Sequence, residues 1–254
     1  MNKLAIILSL FFGLGAPGLS LAAGEALPPP KQNWSFGGLF GTFDRGALQR
    51  GYQVYNEVCA GCHGLRLVAY RNLTEIGLTE QQVKKIAASK TVKDGPNDEG
   101  EMYERLGRPS DRFVMPFANK NAARAANNGA YPPDLSLMVK ARMGGADYLY
   151  GLLTGYQESV KGLQIPEGMY YNKYYPGNLI AMPSPLVDEG IEYPDKTKAT
   201  VQQMAQDVTV FLSWTAEPEI EQRKRLGIKV LLFLIILTGL LYAIKKRVWS
   251  QLHN

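Results

Sequence analysis

Only two cysteines, Cys59 and Cys62, and two histidines, His63 and His253, occur in the 254 residues. A disulfide-rich scaffold is thereby excluded, as is a zinc site built from two separated Cys-x-x-Cys pairs. No Gly-rich phosphate loop, internal repeat or catalytic constellation is present, and the scattered carboxylates read as solvated surface. Disorder is excluded as well, because 46% of the residues are hydrophobic and 20% charged, ample material for a packed core.

Charge is sparse in two stretches. After Lys3, residues 4–24 are uncharged, interrupted by Gly13, Gly15, Pro17 and Gly18, and end in small residues. That pattern is an export signal, and residues 1–23 are expected to be removed. Residues 226–244 carry one charge, Lys229, near the start of the run. At about 1.5 Å per helical residue, such a run spans a hydrocarbon core of about 30 Å, with Lys229 snorkelling to the headgroups. Basic residues flank it (Arg223, Lys224, Arg225; Lys245, Lys246, Arg247), and Trp249 sits where an interfacial aromatic belongs.

The chain therefore divides into a signal (1–23), an exported periplasmic domain (24–222), a transmembrane anchor with basic flanks (223–247) and a short cytoplasmic tail (248–254). The flanking charges balance, so the orientation follows from the signal. Although the whole chain is +5, residues 25–221 hold 20 Lys and Arg against 23 Asp and Glu. An exported domain of about −3 gives no compositional support for nucleic-acid binding.

What is there is "VCAGCHG". A disulfide between Cys59 and Cys62 would close a loop of only Ala60 and Gly61 and so restrain little of the unfolded chain. A redox dithiol does not require the adjacent His63. Cys-x-x-Cys-His is the pattern of covalent c-type haem attachment: two thiols add to the two porphyrin vinyl groups, and the next side chain sends an imidazole nitrogen to iron. One motif implies one haem c and single-electron transfer.

His253 lies beyond the anchor, which excludes a second histidine of this chain and leaves Met, Lys, an amine, water or an open site. A thioether suits an electron carrier, because it stabilises Fe(II) and raises the potential. The mature chain offers Met102, Met115, Met138, Met143, Met169, Met182 and Met204. Met138, Met143 and Met204 lie in helix-like patterns and read as packing residues. Met115 ("FVMPF") and Met182 ("IAMPSP") precede proline, which favours an extended backbone able to carry a ligand over a haem face. Met182 also follows the irregular, Tyr-rich "YYNKYYPGNL" and is the stronger candidate, with Met115 second.

Elsewhere, the Pro/Gly-rich and aromatic residues up to Asp44 are expected to wrap the domain. Apolar positions Leu48, Tyr52, Tyr55 and Val58 predict a helix capped by Asp44 and ending at the haem motif. Thr79 with Gln82 and Thr200 with Gln203 resemble capping boxes. The second helix would turn Val201, Met204, Val208, Phe211 and Leu212 inward. Two acidic clusters, Asp94, Asp98, Glu99, Glu101, Glu104 and Asp188, Glu189, Glu192, Asp195, read either as solubilising loops or as a steering patch for a basic redox partner.

The blocks "WSFGGLFGTFDRGALQRGYQVYNEVCAGCHGLRLVAYRNL", "DGPNDEGEMYERLGRPSD", "NAARAANNGAYPPDLSLMVKAR", "GADYLYGLLTGY", "YYNKYYPGNLIAMPSPL" and "EPEIEQRKRLGIKVLL", in that order, resemble the cytochrome c1 family, the haem subunit of the bacterial cytochrome bc1 complex. The resemblance implies a mainly α, cytochrome c-like haem domain with long irregular loops and one C-terminal transmembrane helix. It implies an electron-transfer subunit of a proton-translocating quinol:cytochrome c reductase, without a catalytic or quinone site of its own. Its partners would be cytochrome b, the Rieske iron-sulfur protein as donor and cytochrome c as acceptor, in a dimeric complex in the bacterial inner membrane. It implies Met182 as the sixth ligand, Met115 as a core or loop residue, and Arg124 near a haem propionate. With no cysteine beyond the attachment pair, no disulfide braces the loop before Met182. A tethered carrier outside any quinol complex, and a haem sensor with an open sixth site, are the competing classes.

Overall fold

The computed structural model describes residues 26–158 and 163–250. The expected signal (1–23) and the last residues of the expected tail, including His253, lie outside them.

Helix α1 (Arg45–Val54) starts where Asp44 accepts hydrogen bonds from the Gly46 and Ala47 amides, as the sequence predicts. It runs on as a π-helical turn, Tyr55–Cys59. A 3-10 turn (Tyr70–Ile76) and α2 (Glu80–Ala88) follow, α2 opened by the complete Thr79/Gln82 capping box. Strands β1 (Thr91–Asp94) and β2 (Tyr103–Leu106) form an antiparallel hairpin. Helices α3 (Lys120–Ala126), α4 (Met138–Ala141) and α5 (Gly145–Thr154) lead to β3 (Tyr156–Gln157), β4 (Tyr170–Asn172) and β5 (Leu179–Ile180), joined in order β3-β4-β5. Helix α6 (Val201–Ala216) and the long α7 (Ile220–Ser250) complete the described residues.

The architecture is mainly α with long irregular connections, as expected. The two small sheets were not expected, since strands of two to four residues are too short to display a period-2 pattern.

The core forms where α1 crosses α6. At Gly51 a Cβ would collide with the Asp207 carbonyl oxygen and lie 2.7 Å from Phe211 Cβ, so only glycine allows this backbone-to-backbone approach. Around the crossing, Tyr52, Tyr55, Tyr70, Phe113, Phe211 and Trp214 are buried, with Tyr70 stacked on Phe113 at 4.6 Å between centroids and Tyr55 against Phe211 at 5.8 Å. Thr200 caps α6 through the Gln203 amide, but the box is half made: the Gln203 side chain reaches buried Asp207 instead. Arg50 grips both Asp207 oxygens at 2.9 and 3.1 Å and reaches Asp195 at 2.8 Å. The Asp207 and Asp195 contacts raise the guanidinium pKa despite the opposing effect of burial, so Arg50 stays charged.

Residues 26–44 wrap the domain without helix, as predicted. Leu27 N–H donates to Lys173 O, while Gln32 N–H and Trp34 Nε1–H donate to Asp147 Oδ1 on α5 at 3.0 and 2.8 Å. Burial alone would raise the Asp147 pKa; these donors and Lys31 outweigh it and hold it below the ordinary value.

Helix α7 has 31 residues, about 46 Å at 1.5 Å each, and contains an 18-residue window of mean hydropathy 2.4 with none of it buried. It is long and apolar enough to cross a membrane. The helix outruns the expected anchor at both ends, and residues 248–250 of the expected tail are still helical.

Candidate haem site

The π-helical turn ends α1 on Cys59, and the chain folds back at once: the Cys62 and His63 amides both donate to Cys59 O, at 3.1 and 2.9 Å. The two thiols and the imidazole are thus carried on one tight corner. Both cysteines are free, Cys59 half-buried and Cys62 exposed. Burial, with a smaller contribution from Cys62, pushes the Cys59 thiol up to about 12, so it is a neutral thiol rather than a thiolate.

The His63 ring is oriented by a partner 70 residues away, since Nδ1 lies 2.7 Å from Pro133 O. A carbonyl only accepts, so Nδ1 carries the proton and Nε2 keeps the lone pair, the tautomer a metal-binding histidine needs. Burial lowers the His63 pKa against the opposing effects of the Pro133 bond and the Asp134 charge, favouring the neutral ring. The segment 133–136 clamps the corner further: Leu135 N–H donates to Gly64 O, Asp134 accepts from Arg66 N–H, and Ser136 Oγ accepts from Leu67 N–H. From the core side, the Tyr55 hydroxyl donates to His63 O at 3.0 Å. Two unpaired thiols and an imidazole whose Nε2 keeps its lone pair are a donor set that fits a c-type haem.

The seven methionines separate by environment. Met138 and Met204 are buried, as their helical spacing predicts. Met143 is not: it is 94% exposed, because α4 stops at Ala141 and leaves it on the connection to α5. Met115 is on a loop with its thioether against Gly64, where an added Cβ would strike Sδ and come within 2.6 Å of Cε. It therefore packs on the residue that follows His63. Met182 comes just after β5, half-buried, with its carbonyl accepting from the Tyr156 hydroxyl at 3.1 Å. Arg124, on α3, donates from Nη1 to Gly129 O at 2.8 Å and lies over the Tyr131 ring at 5.8 Å.

The acidic clusters also part company. Asp94 is paired with Arg105, which also grips Asp111, leaving Asp98, Glu99, Glu101 and Glu104 exposed at the hairpin. In the second cluster, Asp188 accepts from the first amide of α6, Asp195 holds Arg50, and Glu189 faces Lys198 at 3.7 Å. Asp188 and Asp195 thus hold structure together, whereas the Glu189 pair is a solvent-exposed one.

The model of the Cytochrome C1 family matches residues 34–252. The chain belongs to the cytochrome c1 family. Cytochrome c1 of Rhodospirillum rubrum is 49% identical, the alignment covering 95% of this chain and 97% of that protein. A protein of Bradyrhizobium diazoefficiens named Cytochrome b/c1 is 53% identical over 89% of this chain, which spans 36% of that longer protein. Cytochrome c1 1, heme protein, mitochondrial, of Arabidopsis thaliana is 49% identical over 91% of this chain and 76% of its own length.

Sequence reasoning missed Pro133 and Tyr156. Both act through positions that carry no motif, a backbone carbonyl and a phenol in one more aromatic run. The only available signal was "YPPDLS", a proline pair followed by residues suited to bracing a turn.

Proposed function

We propose that this chain is the single-haem electron relay of a membrane quinol:cytochrome c oxidoreductase, taking one electron from a Rieske iron-sulfur protein and passing it to cytochrome c. The observation that carries this reading is the His63 imidazole, committed through Nδ1 to Pro133 O beside two unpaired thiols. A haem c held there supplies a one-electron Fe(III)/Fe(II) couple. Cys59 and Cys62 would hold it as thioethers, each S–H adding across a vinyl group. His63 Nε2 and the Met182 thioether would be the iron ligands, with the Tyr156 hydroxyl fixing the Met182 peptide. Arg124 enters through the resemblance alone; with Nη1 on Gly129 O, a propionate would take its remaining N–H groups.

The chain has no catalytic site of its own in this reading, and quinol oxidation belongs to its partners. Cytochrome b is the neighbour suggested by the Bradyrhizobium relative, whose name joins b and c1. Residues 24–222 face the periplasm of a bacterial inner membrane, α7 crosses it, and the C-terminus is cytoplasmic. The complex is a dimer.

The test is the optical spectrum of the native protein with carbon monoxide added to the reduced form, repeated on Met182→Leu. The relay predicts indifference to carbon monoxide. In Met182→Leu it predicts retained covalent haem, a lost sulfur-to-iron charge-transfer band and a potential lowered by a sizeable part of the about 0.8 V that axial ligation spans. Carbon monoxide binding to the intact protein would mean an open sixth site and a sensor; an unchanged potential in the variant would reject Met182.

A further inference from the structure

The aromatic segment before α1 is divided into two sides. Phe36 stacks on Trp34 at 5.7 Å and meets Phe43 at 4.9 Å, facing the domain. Leu39 and Phe40, between them, are 56% and 79% exposed. This is a built turn rather than a slack loop. Gly37 N–H donates to Trp34 O at 2.9 Å, Gly38 has φ 64°, and a Cβ on Gly41 would collide with Gly37 O and lie 2.7 Å from Ser35 O.

The turn is fastened to the neck of α7. Lys224 Nζ donates to Phe36 O at 2.6 Å and Gly41 O at 3.1 Å, taking hold of both ends of the turn. One helical turn earlier, Glu221 accepts from Phe43 N–H at 2.8 Å and pairs with Arg45 at 2.9 Å. Lys224 precedes the apolar run by two residues, about 3 Å of rise, and Val230 lies about 9 Å along the helix from it. The interfacial layer on each side of a bilayer is about 5–7 Å thick, so the turn is held at the level of the headgroups. At that level Arg223 pairs with Glu217 and Arg225 faces Glu221, Lys229 is a cation available to anionic lipid, and the exposed apolar side chains of α7 begin immediately below.

We propose that Leu39 and Phe40 form a second membrane contact, entering the boundary between headgroups and acyl chains beside α7. The occupant is lipid, because the patch is continuous with the bare helix that crosses the bilayer. A domain hung on one helix can tilt about its neck. One fastened at Glu221 and Lys224, and resting on the membrane through the 34–41 turn, presents its haem at a set angle and height. The proposal rests on α7 crossing the membrane, not on the identity of the redox partners.

The experiment uses the haem-loaded full chain in nanodiscs of phosphatidylcholine with phosphatidylglycerol. A nitroxide is placed at Phe40→Cys and, separately, at Leu39→Cys, with Glu99→Cys on the hairpin as the aqueous control. Cys59 and Cys62 are consumed as thioethers, and label uptake by the unmutated chain, subtracted from the variants' signal, tests that attachment independently. Oxygen should relax the labels at 39 and 40 more strongly than a water-soluble nickel chelate, with the reverse order at 99. Nickel dominance at 39 and 40 would overturn the proposal, and so would shielding from both reagents, which would mean a protein cover. An unaltered haem spectrum verifies that each variant is folded, and either position alone decides the question.

Discussion

The two flanks of the proposed haem site are built differently. The His63 flank stands on regular structure: α1 crosses α6 at Gly51, the π-helical turn delivers Cys59, and residues 133–136 clamp the corner from outside. The Met182 flank is a chain of turns and two- or three-residue strands between α5 and α6. It is braced by buried Asn172, which donates to Leu152 O on α5, and tied to the other flank through Asp195 on Arg50 and Asp188 on the first turn of α6. In the proposed relay the covalent tether belongs to the first flank, and the second has to hold a ligand in register. The difference suggests that the helical flank sets stability while the loop flank sets potential.

Gly51→Ala tests the first half of that division and should have the largest effect. The new methyl has no room between the Asp207 carbonyl and Phe211, so α1 must move off α6. Overpacking of this kind costs about 1–3 kcal/mol, and the backbone neighbour cannot yield as a side chain would. Denaturant unfolding should show a lower midpoint with an unchanged slope. A variant as stable as the original would mean that the crossing is looser than described.

Paired tyrosine substitutions sharpen the comparison. Tyr55→Phe and Tyr156→Phe each remove one hydroxyl that donates to a backbone carbonyl, of His63 and Met182 respectively. Each loss is worth about 1 kcal/mol. Tyr55→Phe should lower stability and leave the optical spectrum alone, because Pro133 O still orients the imidazole. Tyr156→Phe should weaken the sulfur-to-iron band and raise its temperature sensitivity, because no disulfide braces that loop. Equal spectral responses would erase the proposed difference between the flanks.

The same contrast governs what could be read in advance. Asp44, Thr79 and Thr200 announce their helix starts through side-chain chemistry confined to one turn, and each cap forms. The Cys59–His63 corner was legible as a candidate site because its three side chains are contiguous in sequence, and the fold does carry them on one tight turn. Pro133, Tyr156 and the short strands were not, since their roles arise from neighbours up to 70 residues away. Met143 was misjudged because apolar spacing continues for two residues after α4 has ended, and local pattern does not say where packing stops. Asp94 and Asp195 looked like surface charge until Arg105 and Arg50 were brought to them by the fold.

That sorting of carboxylates yields the smallest expected effect. Asp98, Glu99, Glu101 and Glu104 are exposed at the hairpin, whereas Asp188 and Asp195 are engaged in holding the loop flank. If the hairpin steers a basic acceptor, replacing Glu99, Glu101 and Glu104 by Gln should slow reaction with a basic cytochrome c on the order of tenfold at low salt. The difference should shrink as salt rises, since charges are screened beyond about 10 Å at 0.1 M. Stability should not change. Asp195→Asn should do the opposite, loosening the Arg50 link and lowering stability with little change in the bimolecular rate. A salt-independent rate in the hairpin variant would return that cluster to a solubilising surface, and a rate loss in Asp195→Asn would move the steering field to the loop flank.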